Sequence, residues 1–252
     1  MSRLFINSLP KSGTHLVERA VRLLTGRDAA PLQLSSATAS RYAVPDAGPT
    51  VLVGVGMPVQ VPLAPLRAHL ASLAADAVVT GHVPFSPAMD LLLRELGFGM
   101  ILVLRDPRDV AVSLAHHITT NPSHRLHQHF QSLSWDQRLS ATIQGVPGLL
   151  EDSGRRLASV IRWLGLPYVL PIRFEDLVGS KGGGDDARQR QALQAIATHL
   201  NLPCPIPLDQ AQAQLFGHSA TFRKGTVGQW RDQLSAHQIR QIRDLCPIDL
   251  CD

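Results

Sequence analysis

Short apolar runs alternate with amphipathic stretches along this chain, and that alternation constrains its fold more than any other feature. It begins at the N-terminus, where Leu4 to Leu9 (LFINSL) runs into PKSGT and then into HLVERAVRLL. The last stretch places Leu16, Ala20, Leu23 and Leu24 on one helical face, so the order is strand, loop, helix. Met100 to Arg105 (MILVLR) has the signature of a fully buried strand, and the DPRDVAVSLAHH that follows puts Pro107 at a helix N1 position. Ala77 to Thr80 and Tyr168 to Arg173 read as further strands. Helices are predicted over 63–75, 86–96, 134–144, 149–164, 186–200, 208–215 and 236–245. Residues 26–50 and 118–134 lack a clear period and read as irregular. Strands alternating with helices predict an α/β fold, a mostly parallel sheet flanked by helices on both faces. At 252 residues the chain is expected to form a single domain over 1–252, since two would each be close to the lower limit of independent stability.

Composition excludes several classes. With 44% hydrophobic and 17% charged residues the chain can bury a core, which excludes disorder of the whole. No apolar run approaches the roughly 20 residues that span a bilayer, so no transmembrane segment is expected. The chain is polar by Asn7, too soon for a secretory leader, and a cytoplasmic location is expected. Cys204, Cys246 and Cys251 form neither a CxxC pair nor an even disulfide framework. The net charge is +4, but no five like charges run together, so nucleic-acid binding is not expected and a basic cleft for a small polyanion fits better. Of 24 Lys and Arg residues only three are lysine, and Lys11 and Lys224 both stand in motif-like loops.

PKSGTH lies where a strand ends and a helix begins, so it offers backbone N–H groups and a helix dipole to an anion. Gly13 admits close approach of a phosphate, Ser12 and Thr14 add hydroxyls, and Lys11 adds charge. The plainer alternative is a surface turn with a helix cap at Ser12 or Thr14. A Walker A loop is excluded, because the lysine precedes the glycine instead of following it. VLRDPRDVAVS places Arg105 at a strand's C-terminal end, the edge where open sheets bind ligands, and Ser113 two turns into the next helix. FRKGTVGQW sets Arg223 and Lys224 beside Gly225, a cationic loop able to clamp a second phosphate. Taken singly, Arg105–Asp106 could be a local ion pair and Arg223–Lys224 a solvated face.

Taken together and in this order, PKSGT, LRDPRDVAVS and RKGxxGxW resemble the cytosolic-type sulfotransferases, which use 3′-phosphoadenosine 5′-phosphosulfate (PAPS) and release PAP. The resemblance spans residues 4 to about 235. It implies that Lys11, Ser12, Gly13, Thr14 and His15 face the 5′-phosphosulfate. Arg105, Ser113, Arg223, Lys224 and Gly225 would hold the 3′-phosphate, and Lys11 and Ser113 would also assist catalysis. In RFEDL, Phe174 stands where the family usually has a tyrosine against the adenine. Two further departures are Thr80, where a lysine is common, and His15, where the family's loop has a threonine. The C-terminal dimer signature is degenerate here, reading Arg231, Ser235, Ala236 and Arg240.

Sulfuryl transfer to a hydroxyl needs a base for the acceptor proton. Of eleven histidines, His116, His117, His124, His127 and His129 fall in a polar stretch that reads as a solvated face before a metal site. His82, in VVTGHVP, follows a strand end, with one residue between it and Pro84. The resemblance implies that this histidine is the general base. The expected activity is PAPS-dependent sulfation of a hydroxyl, or an amine, on a small molecule or glycoconjugate, with no metal. A catalytically weak PAP or PAPS binder in an assembly, or a small-molecule kinase, is the alternative. Residues 26–62, 83–90 and 116–148 would shape the acceptor site, and the apolar Val51 to Leu66 stretch predicts a partly hydrophobic one.

Overall fold

The computed structural model describes residues 3–42, 48–201, 204–216 and 225–246. The chain opens with β1 (Arg3–Ser8), α1 (Thr14–Thr25) and β2 (Ala29–Leu34). A hairpin of β3 (Thr50–Val53) and β4 (Val59–Pro62) leads into α2 (Leu63–Ser72), β5 (Val78–Gly81) and α3 (Pro87–Glu95). β6 (Phe98–Leu104) precedes four helices, α4 (Pro107–Thr120), α5 (His127–Gln131), α6 (Trp135–Gln144) and α7 (Ser153–Ile161). β7 (Val169–Arg173), the single turn α8 (Phe174–Leu177), α9 (Asp186–Leu200), α10 (Leu208–Leu215) and α11 (Ala236–Leu245) complete it. The central sheet has five parallel strands in the order β2-β5-β1-β6-β7. From β1 the chain first builds outward on the β5 side and then crosses to β6, so the order reverses at β1. The crevice beyond the C-terminal strand ends at such a point is where open α/β sheets bind ligands.

The strands read as continuous apolar runs because both faces of the sheet are covered. Phe5, Val79, Met100 and Leu102 point into one core, shared with α2, α3, α4, α6, α7 and α11. Leu4, Ile6, Val78, Ile101 and Val103 point into the other, beneath α1, α9 and α10. This is the period-two alternation of a strand, hidden in the sequence because both sides are hydrophobic.

The reading of residues 26–50 as loop is corrected. β2 pairs with β5 at the sheet edge, and a 3₁₀ turn covers Ala39–Tyr42. Pro31 obscured the strand, but an edge position tolerates proline, and here it is exposed beside a register shift. Residues 118–134 also contain more helix than expected, since α4 continues to Thr120 and α5 follows. The helix expected from 149 starts only at Ser153. A tight turn joins Val146 to Leu150 before it, and Asp152 caps it by accepting the Arg155 N–H.

Candidate active site

Four strands of the sheet deliver the site. β1 ends at Ser8 before the Lys11–Thr14 loop, β5 ends one residue before His82, β6 ends at Leu104 before Arg105, and β7 ends before Phe174. Lys11, Gly13, Thr14, His15, His82, Arg105, Ser113, Phe174 and Gly225 all line one cavity of about 630 Å³. Arg223 and Lys224 lie outside the described residues.

The loop after β1 is not an ordinary helix cap. Gly13 occupies the N-cap with φ +103°, and no side chain caps α1. Thr14 Oγ1 instead shares a 2.6 Å hydrogen bond with Ser8 Oγ, while Ser12 Oγ is buried without a hydrogen-bond partner. The orphaned hydroxyl adjoins the N-terminal turn of α1, as suits an anion there, but Ser12 is fully buried and, unlike Lys11, Gly13 and Thr14, does not line the cavity. A Cβ on Gly13 would lie 2.5 Å from Phe174 Cδ2, so the ring lies directly against the loop backbone and only glycine admits it. Lys11 adopts φ +72°, a left-handed conformation disfavoured for a side chain with a Cβ, and its carbonyl accepts from Arg105 Nη1 at 3.0 Å.

Arg105 does not pair with Asp106. Asp106 caps α4 and holds Arg108, whereas Arg105, just before the cap, lies 3.8 Å from Asp109 in the first turn of α4. Its guanidinium also donates to the Thr226 carbonyl at 3.2 Å and stacks on the Phe174 ring at 4.2 Å. Asp109 in turn accepts from the Gly228 and Trp230 N–H groups at 2.7 and 3.1 Å. Burial raises its pKa, opposed by Arg105 and by those two N–H donors. Asp109 thereby ties the segment after Gly225 to α4, and Arg108 covers the Trp230 ring at 3.9 Å. Sequence reading assigned Asp109 no such role, although an acidic residue one turn after a strand-end arginine offers that signal.

His82 is held on every side. Its N–H donates to the Leu34 carbonyl of β2, and its carbonyl accepts from the Gly54 N–H in the β3–β4 hairpin. The ring Nδ1 lies 2.9 Å from the Ser8 carbonyl and 3.2 Å from Ser8 Oγ. A carbonyl can only accept, so Nδ1 carries the proton and Nε2 keeps the lone pair. Burial brings the His82 pKa down to about 4, helped by the positive charge near His15 and Lys11 and opposed by the Ser8 carbonyl. The imidazole is therefore neutral at pH 7 and able to take a proton at Nε2. Asn7 was missed from sequence, yet its buried amide donates to the Val83 carbonyl and accepts from the Val83 N–H, fixing the backbone beside His82. A polar Asn-Ser pair ending an otherwise apolar strand was the available signal.

The other histidines separate. His15 is exposed on α1, lines the cavity rim, and lies 3.1 Å from Glu18. His116, His117 and His124 do not form a solvated face; they line the same cavity, the first two on α4, which contributes residues from Pro107 to Thr120, and His124 in the turn that follows. His117 is also held near pKa 4, by burial first and then by the charges of Lys11, His124 and His82. Of the segments expected to shape an acceptor site, residues 33–37, 54–57 and 116–124 contribute to the lining. Residues 83–90 do not; Val83 is buried in the core and Phe85 meets Trp163 edge-on. Ser153 and Arg156 of α7 also line the cavity and were not anticipated.

No curated protein sequence matches the chain. Among solved structures it is similar to a mouse sulfotransferase complexed with PAP, at TM-score 0.66 and 17% identity over 97% of this chain and 82% of that one. It is also similar to retinol dehydratase in complex with androsterone and inactive cofactor PAP, at TM-score 0.57 and 17% identity, covering 96% and 79% of the two chains. The sulfotransferase domain model matches residues 1–178, from β1 through α8, the span that contains the Lys11–Thr14 loop, His82 and Arg105. The chain belongs to the sulfotransferase domain family.

Proposed function

We propose that the chain is a PAPS-dependent sulfotransferase acting on a hydroxyl of a small molecule or glycoconjugate, with His82 as general base. The observation that carries this reading is the pairing, across adjacent strands β1 and β5, of an anion-fitting loop with a neutral imidazole. The imidazole's Nδ1 is tied to the Ser8 carbonyl of the strand that bears the loop. PAPS would supply the sulfuryl group and a phosphate leaving group. The Ser12 hydroxyl, the loop N–H groups and Lys11 would face the 5′-phosphosulfate, and His82 Nε2 would take the acceptor proton as the new oxygen–sulfur bond forms. Arg105, Ser113, Gly225, Arg223 and Lys224 would surround the 3′-phosphate, with Phe174 against the adenine. One buried cluster reaching from Phe5 to Ile242 supports reading the chain as a single catalytic unit.

No divalent metal is required in this reading. A transferring sulfuryl carries less negative charge than a phosphoryl, and β6 runs into Arg105 where a kinase-type strand would present a metal-binding aspartate. Isothermal titration with PAP, ADP and GDP, followed by turnover from PAPS across a panel of hydroxylated acceptors, tests the proposal. Preference for PAP with turnover supports it. Preference for ADP or GDP turns the reading towards a kinase, and PAP binding without turnover on any acceptor towards a binder.

A further inference from the structure

The part of the cavity wall supplied by α7 contains an unusual pair. Arg156 is only 5% exposed, yet among the described residues no carboxylate reaches ion-pair distance of it. Its one hydrogen bond runs from Nη2 to the Thr142 carbonyl near the end of α6, which leaves most of its N–H donors unused. Ser153, one turn earlier on α7, is 6% exposed, and its Oγ is buried without a hydrogen-bond partner. Both side chains line the cavity that also contains His82.

The surroundings hold the arginine in place. A Cβ on Gly56 would lie 2.8 Å from Arg156 Cδ and 3.2 Å from Leu150 Cδ1, so the β3–β4 hairpin can close over the arginine only because that position is glycine. The hairpin hangs from the His82 carbonyl through the Gly54 N–H, and Gly56 O accepts from the Glu151 N–H just before α7. α7 is fastened to the segment after His82 through Ser159 O, which accepts from the Phe85 N–H, and Trp163 Nε1 donates to the Val83 carbonyl just beyond the helix. Arg156 is therefore tied to the base side of the cavity. Lys11, Arg105 and Thr226 are bonded to one another rather than to Arg156.

Asp152 and Glu151 oppose the effect of burial on Arg156 from beyond ion-pair distance, but a buried guanidinium with no carboxylate in contact is unfavourable, and so is a buried hydroxyl without a partner. A single ligand group satisfies both if it is anionic, planar and accepts several hydrogen bonds. One positive charge and one hydroxyl match a monoanion better than a phosphate dianion, and the fork of a guanidinium matches a carboxylate. We propose that Arg156 and Ser153 form a carboxylate-binding subsite, so that the acceptor is a hydroxylated carboxylic acid whose hydroxyl reaches His82 while its carboxylate sits on α7. Apolar Val55, Met57 and Leu150 would cover the carbon skeleton between the two ends. This rests on reading the cavity as the acceptor site of a sulfotransferase.

Equilibrium binding to the PAP-saturated protein tests the subsite without requiring turnover. The probes are para-hydroxyphenylpropionate and its methyl ester, which differ at the carboxylate alone. The acid is expected to bind about tenfold or more tightly than the ester, as loss of a charge-assisted hydrogen bond implies. Arg156→Met should abolish that preference, Arg156→Lys should retain part of it, and Ser153→Ala should reduce it several-fold. If Arg156→Met fails to fold, judged by its melting transition, the Lys and Ala variants decide the matter. Equal or weaker binding of the acid by the unmodified protein overturns the proposal. So does failure of both probes to bind, or a preference unchanged in every variant that folds. If the protein does not bind PAP, the sulfotransferase reading fails separately, and the acid–ester comparison on the PAP-free protein is judged by the same criteria.

Discussion

At the scale of single residues, two features of the site yield separate expectations. Gly13 combines a positive φ with a Phe174 atom 2.5 Å from where a Cβ would be, whereas Gly26 has φ +72° with nothing within 4 Å of that position. Each Gly→Ala change is expected to strain the backbone by about 1–3 kcal/mol, but only Gly13→Ala should also displace the ring and weaken PAP binding. Urea melts and PAP titrations of the two variants separate these effects. His82 and His117 are both held near pKa 4 against an ordinary 6.5. Between those values the unfolded chain binds more protons than the folded one, so stability is complete above about pH 6.5 and declines as the pH falls towards about 4. Thermal melts across that window should show the decline, and His82→Asn should make it shallower. The acid limb that His82 sets in kcat/KM is likewise expected well below pH 6.5.

At the scale of elements, the joint between α4 and the segment after Gly225 rests on Asp109 and on Arg108 over the Trp230 ring. Asp109 is buried beside Arg105 and accepts two backbone N–H bonds from that segment. Asp109→Ala strands a buried charge and two donors, and a loss of about 3–5 kcal/mol is expected in chemical denaturation. Arg223→Ala tests the cationic segment itself. It should weaken PAP by about 1.5–3 kcal/mol more than AMP, which lacks the 3′-phosphate. Equal losses for both ligands would place Arg223 elsewhere. The central strands were legible in sequence because burial on both faces makes them apolar throughout, and so were α1 and α4, from the spacing of α1 and from Pro107 at the start of α4. β2 was not, since its pairing with β5 overrides a proline and a weak period. His82 and the Lys11–Thr14 loop were legible as motifs adjoining strand ends. Asn7 and Asp109 left only a faint signal, because what they do depends on contacts with residues far along the chain, and Ser153 and Arg156 left none, because only the packing of α7 brings them to the cavity.

At the scale of the whole molecule, the proposed function draws on the Lys11–Thr14 loop at the end of β1, His82 at the end of β5 and Arg105 after β6, which meet at one cavity. Its central claim is metal-independent sulfuryl transfer with His82 taking the proton. The direct measurement is transfer of labelled sulfuryl from PAPS to a panel of hydroxylated acceptors in excess EDTA, comparing the unmodified protein with His82→Asn and recording PAP affinity for both. The account expects transfer by the unmodified protein, undiminished by EDTA. It expects a loss on the order of 10² to 10⁴-fold in the variant, with PAP affinity nearly unchanged, because a base acts in the transition state. Near-normal transfer by the folded variant, or activity that disappears in EDTA and returns with magnesium, would contradict it.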